Sequence, residues 1–379
     1  MLNINKLNIE LIKIYTYFLN FCKMNNSQKT MKGAFLPGNS TVVFKDVEVP
    51  TPGHGQVLVK TKSSTICGSD IRAIYHEHVG KGPEGYQNKI AGHEPCGQVV
   101  QCGPGMKRFK EGDRVVIYHI SGCGVCNDCR RGYMISCTSE HRAAYGWQRD
   151  GGMAEYILAE EKDLVFLPDE LTYTDGAQIA CGFGTVYEGL EKIGISGNDQ
   201  VLVTGLGPVG LAACMLAKAM GAQKVVATDV SESRCQLALD RGLADEVFVS
   251  GADALEKAMA ASGGLGYERT VDCSGHTSAR QLCIRANRKW GKMVLVGEGG
   301  TLELNPSPDM IHDQKTVYGS WVTSIWKMEE LVERIVRWGI HPEDLVTDRF
   351  TLDQAAEAYE LMASGQCGKV AVVFDEEIK

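Results

Sequence analysis

Four cysteines crowd one short stretch of the chain. Cys123, Cys126, Cys129 and Cys137 follow C-x2-C-x2-C-x7-C among glycines, with Arg130 and Arg131 beside them. Thiolates spaced this way on one loop can close a tetrahedron around Zn²⁺, a fully occupied structural site. An iron–sulfur cluster also uses C-x2-C-x2-C runs, but its usual fourth cysteine comes sooner and precedes proline, whereas Thr138 follows here. Disulfides suit a small secreted domain better than an acidic chain of 379 residues with net charge −8. The expectation is one structural zinc that orders a lobe with little apolar content of its own.

A second pattern concerns phosphate. Gly205, Gly207 and Gly210 form G-x-G-x-x-G directly after the apolar residues 200–204, and they open a helical stretch that ends near Gly221. The first glycine makes a tight turn, the second admits a pyrophosphate, and the third packs helix on strand. Pro208 and Val209 complete a loop whose phosphates would sit at a positive helix N-terminus. The next strand ends at Asp229, 24 residues beyond Gly205. A carboxylate there accepts hydrogen bonds from both hydroxyls of an adenosine ribose and repels a 2′-phosphate, so NAD is expected over NADP. Arg234, placed beside the adenine ribose, and Val296 are further candidate cofactor contacts.

Three more residues are dispersed. Taken singly, Cys67 and Cys181 read as small buried hydrophobes and His93 as a hydrogen-bonding histidine. Their spacing alone does not join them into one metal set.

The elements that must position these groups fall into two rhythms. From about residue 31 to 166, short β-rich runs such as 57–60 and 98–100 alternate with glycine turns, as in a small, irregular, mostly β domain. After Cys181, strands at 201–204, 224–228, 246–249, 269–272 and 292–296 alternate with helical segments, which argues for a parallel sheet with crossovers. Two amphipathic helices, 327–338 and 352–364, precede a final strand at 369–374. The apolar stretch 11–22 lacks a cleavage site and belongs to an N-terminal extension, residues 1–30, outside the fold. No apolar run approaches the ~20 residues that cross a bilayer. No basic block suits nucleic acid.

In these motifs and their order the chain resembles the zinc-containing medium-chain alcohol/polyol dehydrogenase family. The resemblance covers residues 31–374. It rests on Cys67-Gly-Ser-Asp70, on Gly92-His-Glu94 with Gly97 and Gly103, and on Gly112-Asp-Arg-Val115. The four-cysteine lobe, Gly152-Met-Ala-Glu-Tyr156, Cys181 and the glycine fingerprint complete it. It implies an α/β protein: a GroES-like, β-rich catalytic domain (31–182 and 323–379) into which a Rossmann domain with a doubly wound parallel sheet (183–322) is inserted. It implies two zinc ions per chain, NAD, a small alcohol or polyol substrate, a cytoplasmic setting and a homodimer or homotetramer.

The resemblance also implies roles. Cys67, His93 and Cys181 hold the catalytic zinc. Ser69 takes the substrate proton, Asp70 fixes the tautomer of His93, and Glu94 contacts zinc transiently. Many relatives have histidine where Arg72 stands, and arginine cannot act as a base. Proton release then falls to water, a cofactor ribose hydroxyl, or His76 or His78, and Arg72 is assigned to the cofactor or the proton path in preference to reading an anionic or polyhydroxyl substrate. Cys-Gly-Ser-Asp resembles polyol dehydrogenases and Cys181 the simple-alcohol branch. His119, Trp147 and Trp321 suit a hydroxylated substrate, and a secondary alcohol or polyol is expected. A zinc-independent reductase would lack both cysteine sets; a non-enzymatic relative would not require intact ligands.

Overall fold

The two rhythms become two large sheets in the computed structural model, which describes residues 30–81 and 85–374. The expected extension lies outside the described residues, apart from Thr30, which opens the first strand, Thr30–Phe35.

The first sheet has seven strands. Six run in the order Val346–Phe350, Lys369–Val373, Gln56–Ile66, Glu94–Cys102, Arg114–Ile117 and Leu164–Phe166, and Tyr156–Glu160 pairs with Gln56–Ile66. Residues from the chain's far end thus complete a sheet begun near its start: Val370 to Val373 lie antiparallel to Ile66 to Ser63. The central strands are longer than the runs 57–60 and 98–100 suggest, at 11 and 9 residues. The reason is polar burial. Thr61, Ser63, Ser64 and Thr65 break the apolar pattern yet are wholly buried. Their hydroxyls find internal partners at two positions: Ser63 bonds Thr174 at 3.1 Å and Thr65 donates to Glu94 at 2.5 Å.

The second sheet is parallel, in the order Glu246–Val249, Lys224–Asp229, Gln200–Thr204, Tyr267–Asp272, Asn287–Leu295 and Thr316–Gly319. The order reverses at Gln200–Thr204, and ligands of doubly wound sheets bind at that switch point, beyond the strands' carboxyl ends. Among its crossovers are Pro208–Ala219, Glu232–Asp240, Ala254–Ala261 and Thr277–Ala286. The GroES-like and Rossmann layers that the resemblance implied are both present.

A long helical run joins the two sheets: Tyr173–Gln178, a π-helical turn at Ile179–Phe183, then Gly184–Ile193. One core cluster continues through this junction, from Cys96 and Val116 through Phe183 and Tyr187 to Val203 and Val225. That shared packing fixes the two sheets against each other, so side chains from both can line one cleft.

Candidate active site

Cys67 closes the strand Gln56–Ile66 and caps the short helix Gly68–Asp70. His93 directly precedes the strand Glu94–Cys102. Cys181 sits in the π-helical turn, an irregularity that re-aims a side chain and recurs at functional sites. One ligand atom each from Cys67, His93, Glu94 and Cys181 falls within a 4.8 Å cluster. The structure therefore brings together three residues that the sequence scatters.

Asp70 orders two of them. Its Oδ1 lies 2.8 Å from His93 Nδ1, and its Oδ2 accepts from the Cys67 backbone N–H at 3.0 Å. A carboxylate on Nδ1 places the ring proton there and leaves Nε2 as the electron-pair donor. Glu94 is held through Oε2 by Thr65 at 2.5 Å and by the buried ammonium of Lys369. Its other oxygen, Oε1, is buried with no hydrogen-bond partner.

The electrostatics are those of a cation site. A hydrogen bond from Cys181 holds the Cys67 thiol well below its ordinary value, and the same contact holds Cys181 well above. Burial pushes the Glu94 carboxyl up, against the pull of Lys369. Burial opposes charge on His93, but Asp70 and Cys67 outweigh it and hold that ring well above the usual range. Two thiols and a carboxyl in contact, one oxygen unpartnered, fit a divalent metal with nitrogen and sulfur ligands.

The four-cysteine lobe forms a second cluster, again within 4.8 Å. Backbone N–H groups turn toward its sulfurs: Cys126 N to Cys123 Sγ at 3.3 Å, Cys129 N to Cys126 Sγ at 3.5 Å and Cys123 N to Cys137 Sγ at 3.4 Å. Bonds from Val125 and Cys126 pull the Cys123 thiol down to about 6, whereas burial pushes Cys129 up to about 12. None of the 13 described cysteines forms a disulfide.

The glycine loop shows a different fit at each position. Gly205 has φ +86°, and a Cβ there would lie 2.7 Å from Ser274 Cβ. At Gly210 a Cβ would fall 1.7 Å from the Gly205 carbonyl oxygen. At Gly207, the N-cap of Pro208–Ala219, a Cβ would meet nothing within 4 Å. That open space is a cradle bounded by a helix N-terminus with no side-chain cap, as a pyrophosphate requires. Asp229 stands beside the loop, its Oδ2 accepting from Leu206 N at 2.6 Å and its Oδ1 from Ser231 N at 2.9 Å.

A cleft of about 490 Å³ joins the metal set to this loop. Cys67, His93, Cys181, Ser69, Gly207, Pro208, Val209, Arg234 and Val296 line it, as do His119, Trp147 and Trp321. His119 is buried; its Nδ1 donates to the Ala180 carbonyl at 2.8 Å, and burial followed by the charge of His93 pulls it down to about 3. The ring is neutral.

Other expectations are redirected. His76 pairs with Ser40 at 2.8 Å and His78 with the Leu36 carbonyl at 2.9 Å, and neither lines the cleft. Arg72 does line it, but its guanidinium pairs with Glu298. Sequence reasoning missed Glu298, Lys369 and the cleft-lining Arg142. None belongs to a local motif; only the fold brings them to the site.

Comparisons with known proteins agree with this architecture. The profile described as "Alcohol dehydrogenase GroES-like domain" matches residues 53–169, and "Zinc-binding dehydrogenase" matches residues 208–337. The uncharacterized zinc-type alcohol dehydrogenase-like protein YphC of Escherichia coli K12 is 51% identical over 352 residues, 92% of this chain and 100% of YphC. An L-threonine 3-dehydrogenase of Shewanella baltica is 31% identical, covering 87% and 95% of the two chains. Among solved structures, acetophenone reductase of Geotrichum candidum in complex with NAD superposes with a TM-score of 0.78 at 27% identity, over 93% of this chain and all of that one. The chain belongs to the zinc-type alcohol dehydrogenase family.

Proposed function

We propose that the protein oxidises a secondary alcohol or polyol to a ketone or aldehyde and passes the hydride to NAD. One zinc is assigned to Cys67, His93 and Cys181, and a second to Cys123, Cys126, Cys129 and Cys137. The observation that carries this reading is one cleft holding both the Cys2His cluster, with its unpartnered Glu94 oxygen, and the open cradle at Gly207.

Zinc at the first cluster supplies a Lewis acid that brings an alcohol's pKa toward neutrality. NAD along the glycine loop supplies the hydride acceptor. The chain's own groups do the rest. Asp70 holds His93 in the tautomer that offers Nε2, and it holds the Cys67 backbone. Ser69, on the cleft wall beside Cys67, accepts the hydroxyl proton. With Arg72 unable to act as a base and His76 and His78 directed elsewhere, the proton leaves Ser69 to water. Asp229, next to the loop, selects the unphosphorylated ribose. The relative named L-threonine 3-dehydrogenase favours a second reading, an amino alcohol as substrate.

Among the described residues no helix is long and apolar enough to cross a membrane. A cytoplasmic setting is part of the same proposal, and cell fractionation would test it. The protein is assigned as a homodimer or homotetramer, which sedimentation would test.

The deciding experiment measures metal content, then NAD reduction across a panel of alcohols. Two zinc ions per chain are expected, and a strong chelator removes the cleft ion first, leaving folded, inactive protein. Iron in the lobe, a single zinc, or no NAD reduction with any alcohol overturns the reading.

A further inference from the structure

Lys369 reaches the metal set from the far end of the chain. Val370 pairs with Ile66, so Lys369 falls level with Cys67, while on the other side of the same strand Thr65 pairs with Glu94. The Lys369 ammonium and the Thr65 hydroxyl both donate to Glu94 Oε2. The two ionic side chains are 2% and 0% exposed, so water does not screen them. Glu94 Oε1 has no hydrogen-bond partner among the described residues. It faces the turn that carries Cys181: a Cβ at Gly182 would lie 3.8 Å from it and meet nothing else within 4 Å. A clamp built only for stability would satisfy both oxygens, and a buried ion pair is seldom more stable than apolar side chains of the same volume. Here one oxygen is held twice. The other faces the Cys181 turn, where a Glu94 oxygen lies in one 4.8 Å cluster with the Cys67, His93 and Cys181 donors.

We infer that Lys369 is a positioning residue that keeps Glu94 from becoming a permanent ligand of the metal. The assignment rests on the zinc reading of this cluster and names what governs its fourth position. Zinc with three protein ligands keeps one position for substrate. A buried carboxylate beside it, with no other partner, would take that position outright, because no water solvates its charge and the metal is the strongest compensation at hand. The Lys369 ammonium compensates that charge instead. With Thr65 it holds Oε2 back, so Glu94 stays beside the metal without being committed to it. Substrate then competes against a carboxylate whose charge is already engaged.

The test follows release of the cleft zinc to a chelating dye in Lys369→Met, in Thr65→Val and in the double variant Lys369→Met with Glu94→Gln. Lys369→Met leaves the full Glu94 charge to the metal, so the cleft zinc should leave about tenfold or more slowly than in wild type, the scale of one hydrogen bond to a charged group. A merely structural clamp predicts the opposite sign, because breaking it loosens the site. Thr65→Val, which removes only the hydroxyl's bond, should slow release by a smaller factor. The double variant should release zinc at least as fast as wild type, since no carboxylate remains to bind it. Imidazole, a neutral nitrogen ligand, reads whether the fourth position is open. With cobalt exchanged into the cleft site, imidazole should shift the visible spectrum of wild type and of the double variant but not that of Lys369→Met. Circular dichroism and lobe zinc content report folding, and if Lys369→Met does not fold, Thr65→Val decides by the same sign. Release as fast as wild type or faster overturns the assignment and leaves the zinc dehydrogenase reading intact. So does a Lys369→Met cobalt spectrum that imidazole shifts as it does in wild type. A chain that binds no zinc at Cys67, His93 and Cys181 overturns the dehydrogenase reading and this assignment with it.

Discussion

Asp70 Oδ1 lies 2.8 Å from His93 Nδ1 while the same carboxylate's Oδ2 holds the Cys67 N–H at 3.0 Å, so one buried side chain orients two members of the metal set. Its position at the end of the short helix Gly68–Asp70 lets it reach both. Replacing it with asparagine keeps the size and one acceptor but removes the charge that makes the imidazole a stronger donor. Asp70→Asn should fold and keep the lobe zinc while binding the cleft zinc about 10–100-fold more weakly. Competition with a chelating dye measures this; unchanged cleft affinity would make Asp70 a capping residue only.

Two glycines of one loop should fail in opposite ways. A Cβ at Gly207 meets nothing within 4 Å, so Gly207→Ala should melt like wild type yet raise the Michaelis constant for NAD by occupying the phosphate cradle. A Cβ at Gly210 would lie 1.7 Å from the Gly205 carbonyl, so Gly210→Ala must move backbone and should lower stability by about 1–3 kcal/mol. Calorimetry and cofactor titration on both variants separate the two effects. Equal melting losses would mean the cradle is not open.

Asp229 has two jobs that one substitution confuses. Its carboxylate should repel a 2′-phosphate, and it also accepts the Leu206 and Ser231 amides. Asp229→Ala loses both functions. Asp229→Asn removes the charge and keeps an acceptor for the loop, so it should narrow the NAD-over-NADP preference with a smaller rise in the Michaelis constant for NAD. A wild type that prefers NADP would refute the ribose argument.

Burial pushes Asp163 up to about 6, and neither Lys162 at 3.5 Å nor the Tyr145 hydroxyl at 2.9 Å offsets it. Because the folded value exceeds the unfolded one, the stability from its protonated form is complete below pH 3.8 and is lost as pH rises through about 6. The full difference is on the order of 3 kcal/mol. Asp163→Asn stays neutral, so its stability relative to wild type should rise between pH 5 and pH 8. Denaturant midpoints at the two pH values test this, and a pH-independent difference would contradict the raised value.

The motifs were legible because their chemistry is local. The four cysteines of the lobe lie within one loop, and the three glycines each serve a backbone need visible in the spacing itself. The central strand Gln56–Ile66 was only half legible, since Thr61 to Thr65 look exposed until their partners are known. Pairs that join distant segments were not legible at all. Lys369 reaches Glu94 across 275 positions, and no periodicity encodes that meeting. The same holds for Arg72, which the motif comparison assigned to cofactor or proton path. It meets Glu298 226 positions away because the two sheets pack across one cleft.

That pair carries the last prediction. Arg72 lies in the π-helical turn Ile71–Tyr75 of the catalytic layer, and Glu298 follows Asn287–Leu295 in the dinucleotide layer. The Glu298 segment is tightly backed: a Cβ at Gly275 would fall 2.1 Å from its carbonyl oxygen. Both side chains are about half exposed, 52% and 51%, so water and salt screen the pair and its worth is at most about 1 kcal/mol. An effect of that size is minor for folding, but both residues line the cleft proposed to hold the cofactor. If it holds the two layers together, Arg72→Ala and Glu298→Gln should each raise the Michaelis constant for NAD by at most about fivefold, for every alcohol alike. The double variant should be no worse than either single one, because both remove the same contact. High salt should bring wild type toward the variants. A rise in Arg72→Ala but not in Glu298→Gln would instead mean that Arg72 leaves Glu298 and meets the cofactor phosphates directly. Arg72→His adds a further readout: a histidine serving Ser69 would give alcohol oxidation a titration near 6.5, absent from wild type. Kinetics unchanged in all four variants would leave the pair a surface contact with no part in turnover.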